Sequence, residues 1–181
     1  LLPFLPMLPI QILTQNMLYD ISQTAIPWDR MDDEFIRKPK VWDARGISKF
    51  MFYMGPVSSV FDYATFALMY FVFAACTPAS QSLLQTGWFV EGLLSQVLVV
   101  HVIRTSRVPF VQSRATWQVL CMTALIMAVG LLLPYTPVGA ALKMTPLPSM
   151  YYSYLVAILL CYCVLAQFVK RFFIRKYGHW L

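Results

Sequence analysis

Five long apolar stretches constrain this sequence more than any other feature. Each covers about 17 to 25 residues, the length that a helix needs to cross the hydrocarbon core of a bilayer. Hydrophobic residues make up 59% of the 181 positions and charged residues only 12%, an apolar excess that indicates a bilayer rather than a larger soluble core. The stretches lie near residues 5–25, 50–73, 87–103, 117–134 and 151–169. We therefore predict an all-α membrane protein, a bundle of about five transmembrane helices in one domain over residues 1–181.

The basic residues separate almost completely between the two sides of this bundle. Thirteen of the fourteen lie on alternate connections, and only Lys143 lies on the other side. They are Arg30, Arg37, Lys38, Lys40, Arg45, Lys49, Arg104, Arg107, Arg114, Lys170, Arg171, Arg175 and Lys176. Because lysine and arginine favour cytoplasmic connections, we place these segments and the C-terminus in the cytoplasm and do not predict nucleic-acid binding. Leu1 then starts outside, and we expect at least one further helix to precede it.

Three acidic residues lie inside apolar stretches, and these are Asp20, Asp62 and Glu91. An ionised carboxylate at the centre of a membrane helix costs at least about 2.5 to 3.5 kcal/mol, so such residues usually face the bundle interior and mark an ion or proton path. Glu91 shares its stretch with Gln96. We interpret Asp62 and Glu91 as candidates for an ion path, although not all three acids need to serve one.

Asp20 has the strongest case, because Asn16 precedes it by four residues and so shares its helix face. Amide and carboxylate oxygens are the ligands of hard cations. Magnesium in particular takes oxygen ligands and keeps several of its waters. The pair predicts a cation site, and the alternative is that both side chains only form hydrogen bonds with neighbouring helices.

Motifs of soluble enzymes are absent from the sequence, which has no phosphate-binding loop of the Walker type, no nucleophile elbow and no metalloprotease pattern. We conclude that this chain does not itself harvest the energy for transport.

Several stretches resemble P-type cation ATPases. "LPFLPMLPIQILTQNMLYDISQ" and the following "PWDRMDDEFIRKPKVWD" are similar to the sixth membrane helix of that family and the loop after it. "FMFYMGPVSSVFDYATFALMYFVFAA", "QTGWFVEGLLSQVLVVHVIRTSRVPFVQSRA" and "LPSMYYSYLVAILLCY" look like later helices of its bacterial magnesium-transporting branch. The resemblance covers essentially the whole chain.

The resemblance implies that these helices are the sixth to tenth of a pump in the bacterial inner membrane. Magnesium would enter the cytoplasm at the expense of ATP, through a cycle with a phosphorylated aspartate. Asn16 and Asp20 would be cation ligands at an unwound part of the sixth helix. Glu91 or Gln96 would occupy the polar position of the eighth helix, and Asp62 is not carried over.

The resemblance also implies partners outside this sequence. The domains that use ATP and Mg²⁺ for phosphorylation, and helices one to five with their further ligands, would belong to the same pump. Membrane lipids, including anionic ones attracted by the basic tail, are further expected partners. The alternatives are a stand-alone channel or secondary transporter that uses Asp20, Asp62 and Glu91, and a membrane scaffold without transport activity.

Overall fold

The structure is a computed structural model that describes residues 4–29, 44–105, 109 and 115–177. Within 44–105, side chains are described from residue 48 onwards. Five long helices account for most of these residues. They are α1 (Pro9–Gln23), α2 (Ala44–Ala67), α3 (Gln81–Ile103), α4 (Trp117–Leu132) and α5 (Ser149–Tyr177). The prediction of an all-α bundle is confirmed.

Short helical elements join or extend the long helices. A π-helical segment, Leu68–Val72, continues α2, and 3₁₀ turns occur at Ile26–Trp28, Pro78–Ser80 and Leu133–Tyr135. One further α-helical turn covers Pro137–Ala141. Pro9 occupies the first turn of α1, where a missing backbone N–H costs no helical hydrogen bond.

Three helical segments are long and apolar enough to cross a membrane. They are Pro78–Ile103, Trp117–Tyr135 and Ser149–Tyr177. In the described ranges α1 and α2 do not meet the same criteria. With 15 residues, α1 is about 22 Å long, which is less than the roughly 30 Å of a hydrocarbon core. That α1 and α2 also cross the bilayer stays a prediction.

The third helix lies at the centre of the bundle and packs against α1, α2, α4 and α5. Its buried residues are distributed around the whole helix, and Leu84, Phe89, Val90 and Leu93 have no exposed surface. A largely apolar membrane helix can be covered by lipid or by protein, and here protein covers most of α3. The other four long helices provide this cover, so α3 determines where each of them lies.

At its N-terminal half, α3 is tied to its neighbours by hydrogen bonds. The Gln85 side-chain amide donates to the Leu5 carbonyl oxygen at 2.8 Å, and the buried Tyr151 hydroxyl of α5 donates to the Gly87 carbonyl oxygen at 2.6 Å. Hydrogen bonds between helices stabilise membrane bundles where apolar packing alone gives little preference. These bonds fix the segment before α1 and the start of α5 against α3.

The C-terminal half of α3 is held in the same way by α4 and α5. His101 Nε2 lies 2.8 Å from the Thr123 hydroxyl of α4. Lys170 of α5 is buried and donates through Nζ to the carbonyl oxygens of Val102, at 2.9 Å, and Thr105, at 3.0 Å. A cation placed against the last carbonyl groups of a helix is favoured by their partial negative charge.

An ion pair joins three elements at this end of the bundle. Arg104, just after α3, donates to both carboxylate oxygens of Asp29 at 2.6 and 3.2 Å. The same carboxylate accepts from the backbone N–H and the hydroxyl of Thr116, both at 2.9 Å, at the start of α4. The end of the α1 segment is thus linked to α3 and α4 by charge-assisted hydrogen bonds.

Replacement of Tyr151 by Phe should lower the free energy of unfolding by about 1 kcal/mol, because the bond to the Gly87 carbonyl is lost inside the bundle. The measurement is a denaturant titration of the purified protein in detergent micelles. Tyr154→Phe, three residues further along α5, is the matched control and should change stability by less than about 0.5 kcal/mol. Equal losses in the two variants would contradict the role given to this hydrogen bond.

The pair formed by Asp29 and Arg104 can be tested with a double-mutant cycle. We expect Asp29→Ala and Arg104→Ala to show a coupling free energy of about 1 to 3 kcal/mol, because both groups are largely buried and charged. Asp29→Asn should keep the bonds from Thr116 and lose only part of this energy. A coupling below about 0.3 kcal/mol would show that the two residues act independently.

Candidate ion-binding region

The predicted cation ligands Asn16 and Asp20 both lie on the exposed side of α1. No hydrogen bond to either side chain occurs among the described residues, and the cation site and the alternative of bonds to other helices both stay predictions. The opposite side of α1 is buried in the bundle, through Gln11, Gln15, Leu18 and Ser22. The two sides of α1 are therefore both polar, but only one is covered by the helices described here.

One implication of the family resemblance is wrong for this structure. The resemblance implied an unwound helix at Asn16 and Asp20, whereas α1 is continuous from Pro9 to Gln23. The segment has no glycine, and its prolines stop at the first helical turn. Nothing in the sequence after Pro9 therefore interrupts the helical hydrogen bonds.

A cavity of about 330 Å³ lies between α1, α2 and α3. Of the predicted site residues, it brings together Asn16, Asp62 and Gln96, one from each helix. Asp20 and Glu91 are not among its lining residues. The lining residues are Met7, Ile12, Gln15, Asn16, Ser58, Asp62, Trp88, Gly92, Ser95, Gln96, Val99 and Tyr162.

Asp62 is held in place at the wall of this cavity by a residue of α3. Trp88 Nε1 donates to Asp62 Oδ1 at 2.9 Å. The Trp88 ring also packs against Phe66, one turn after Asp62 on α2, with ring centroids 4.5 Å apart. An indole N–H and an aromatic contact together fix the direction of the carboxylate.

Glu91 is buried in the bundle and lies outside the lining of the cavity. Its side chain is 1% exposed, and its Oε2 atom has no hydrogen-bond partner among the described residues. Asp62 is near enough to repel it electrostatically. A buried polar atom without a partner costs free energy and is rare in folded proteins, so such an atom is a candidate for a functional role.

Sequence reasoning missed Gln15, which lines the cavity together with Gly92. A Cβ atom on Gly92 would lie 2.9 Å from the Gln15 side-chain nitrogen, so only glycine leaves this space free without a shift of Gln15. Gln15 is a polar residue next to Asn16 in an apolar stretch, which was the available signal. Ser58, Ser95 and Tyr162 carried no comparable signal in the sequence.

The region offers oxygen atoms from amides, hydroxyls and carboxylates, the donor set of hard cations such as magnesium. Within the described ranges, no group of three His, Cys, Asp or Glu side chains is placed to hold a metal ion. Among the described residues, Asp62 is the carboxylate that lines the cavity, whereas Asp20 and Glu91 lie on α1 and α3 outside its lining. Direct coordination by several carboxylates is therefore not formed by this part of the chain alone.

Comparisons with known proteins identify the family of this chain. The family described as "Cation transporting ATPase, C-terminus" matches residues 4–172. A protein of Salmonella typhimurium named "Magnesium-transporting ATPase, P-type 1" is 57% identical over 179 residues, which cover 99% of this chain and 20% of that protein. A protein of Escherichia coli with the same name is 54% identical over 177 residues, which cover 98% of this chain and 20% of that protein.

The chain thus spans 20% of the length of both relatives. The family match, in contrast, extends over nearly all of the described helices, from the segment before α1 to the last turns of α5. By this match, the chain belongs to the family of cation-transporting ATPases, in their C-terminal membrane region.

Proposed function

We propose that this chain is the membrane part of an ATP-driven magnesium importer, to which Asn16 and Asp20 contribute cation ligands. The observation that carries the proposal is that both residues are exposed on α1, where Asn16 also lines the cavity, while Gln11, Leu18 and Ser22 anchor the helix in the bundle. Two relatives more than 50% identical over almost the whole chain are named magnesium-transporting ATPases.

The chemistry of the pair suits this role. Asn16 and Asp20 are one helical turn apart, so an amide oxygen and a carboxylate can approach one ion from the same side. Magnesium prefers oxygen ligands in octahedral geometry, and proteins usually bind it through one or two carboxylates plus retained water. One carboxylate and one amide therefore account for part of a coordination shell.

The remaining parts of the pump lie outside this sequence in our proposal. Helices one to five would cover the exposed side of α1 and complete the ligands, and upstream domains would bind ATP and Mg²⁺ and carry the phosphorylated aspartate. The pump would be located in the bacterial inner membrane with its C-terminus in the cytoplasm, as the alternation of basic segments predicts. Anionic lipids would contact the basic tail.

Glu91 and Gln96 would extend the ion path into α3. Both have a buried side-chain oxygen without a hydrogen-bond partner among the described residues, Oε2 in Glu91 and Oε1 in Gln96. Such oxygens can accept a metal ion or its water without breaking an existing bond. We propose that Glu91 contributes the more strongly of the two, because a carboxylate attracts a divalent cation more than an amide does.

Substitution of Asp20 by Ala in the complete pump should abolish magnesium-dependent ATP hydrolysis, because the one carboxylate on the exposed side of α1 is lost. Asp20→Asn should keep a weak response, since the amide retains an oxygen ligand. The measurement is ATPase activity of the reconstituted pump against magnesium concentration. Thr24→Val, at the exposed end of the same helix, is the control and should retain normal turnover.

Unimpaired turnover of the Asp20→Ala pump would show that this residue is not a ligand. Magnesium flux through the reconstituted chain by itself, in the absence of ATP, would instead favour the channel or secondary transporter. Either result would contradict the proposed function.

Glu91→Gln should raise the magnesium concentration for half-maximal ATPase activity by about tenfold, because the variant keeps the shape of the side chain and loses its charge. Gln96→Met should raise this concentration less. Titration of ATPase activity with magnesium in both variants is the measurement. A larger effect in Gln96→Met would reverse the roles proposed for these two residues.

A further inference from the structure

The cavity between α1, α2 and α3 is large enough for an ion that keeps its water shell. Its volume is about 330 Å³. Six water molecules at about 30 Å³ each occupy roughly 180 Å³, so a magnesium ion with six waters fits with space to spare. A bare magnesium ion would be far too small to contact all three helices at once.

The charge of the lining favours a cation. Asp62 contributes a carboxylate, and no lysine, arginine or histidine is among the lining residues that the structure describes. Trp88 donates to Oδ1 of Asp62. Because a carboxylate can accept about four hydrogen bonds, Asp62 can also accept from water molecules in the cavity. Surrounding apolar side chains such as Met7 and Val99 reduce the screening of this charge.

The polar lining includes several groups that can accept hydrogen bonds, which a hydrated cation requires. The waters of a metal ion direct their O–H groups outwards, so the surrounding protein must accept. Gln96 Oε1 is buried at the wall without a partner among the described residues. The hydroxyls of Ser58 and Tyr162 are 3.4 Å apart, a long contact that leaves both able to bond to water.

We infer that this cavity binds hydrated magnesium through its water shell, as an outer-sphere site that Asn16 lines but that does not include Asp20, the carboxylate proposed as a direct ligand on α1. The inference rests on the proposed function, since it names magnesium as the transported ion. One lining carboxylate is too few to displace most of the waters that magnesium releases reluctantly. One negative charge with several acceptors can instead hold the whole hydrated ion before it reaches the direct ligands.

Hexaamminecobalt(III) is the probe for this site, because it has the size and shape of hydrated magnesium and does not exchange its ligands. We expect the complete pump, in neutral detergent and without nucleotide, to bind this complex in equilibrium dialysis and to release it when magnesium is added. Asp62→Asn should weaken this binding at least about tenfold, because only the charge is removed and the acceptor for Trp88 is kept. Gln96→Leu should weaken it as well.

Ser59→Ala is the matched control, since Ser59 follows Ser58 on α2 but is exposed outside the cavity. It should leave the binding of the cobalt complex unchanged. Absence of binding to the unaltered pump, or binding that neither Asp62→Asn nor Gln96→Leu weakens, would overturn the inference.

The Asp20→Ala pump separates this inference from the proposed function. We expect it to bind the cobalt complex normally while its magnesium-dependent ATPase activity is lost, since Asp20 does not line the cavity. Retained ATPase activity in this variant would contradict the proposal that Asp20 is a direct ligand, and it would leave the outer-sphere site unaffected. Loss of binding of the complex in Asp20→Ala would place the complex at the direct ligands and overturn the outer-sphere site.

Discussion

The burial of α3 on every side is the constraint on which the rest of the structure depends. An all-apolar helix would satisfy this constraint without any preferred neighbour, but α3 also carries Gln85, Glu91 and His101 inside the bundle. Each buried polar group needs a partner in a bilayer, where no water supplies one. Gln85 donates to the Leu5 carbonyl oxygen and His101 pairs with the Thr123 hydroxyl, and these bonds give the neighbouring segments fixed positions. Glu91 differs, since its Oε2 atom has no partner among the described residues.

The cavity follows from the same constraint. Gln15 of α1 approaches α3 closely because Gly92 has no side chain, and Trp88 reaches across to Asp62 of α2. These two contacts hold the three helices together at points around the cavity, whose wall contains both polar and apolar side chains. An apolar side chain in place of Gly92 would occupy part of this space. The small residue thus keeps open a polar region that the transmembrane core would otherwise close.

Much of the fold could be predicted from the sequence, because five apolar stretches interrupted by charged or proline-rich segments leave few alternatives to a helical bundle. The ends of the helices were harder to predict from the sequence. The first turns of α3, from Gln81, include Gln85 and Thr86, whose polarity is more typical of a loop than of a membrane helix. In the structure both side chains have hydrogen-bond partners, at Leu5 and Thr145. Likewise α5 continues to Tyr177 because Lys170 is buried against the end of α3, an environment that no local pattern indicates.

Residue spacing predicts some features of the candidate site, and other features depend on how the helices pack. A separation of four residues was enough to place Asn16 and Asp20 on one side of α1, but the sequence could not indicate which side of α1 the bundle would cover. Gln11 and Gln15 decide this, because their amides are buried on the opposite side, and Gln11 donates to the Leu142 carbonyl oxygen at 3.0 Å. The buried amides that anchor α1 are therefore different from the exposed pair, Asn16 and Asp20, that we propose as direct ligands. Because burial and the Gln11 bond hold α1 in the bundle, the side that carries Asn16 and Asp20 does not have to stabilise the fold.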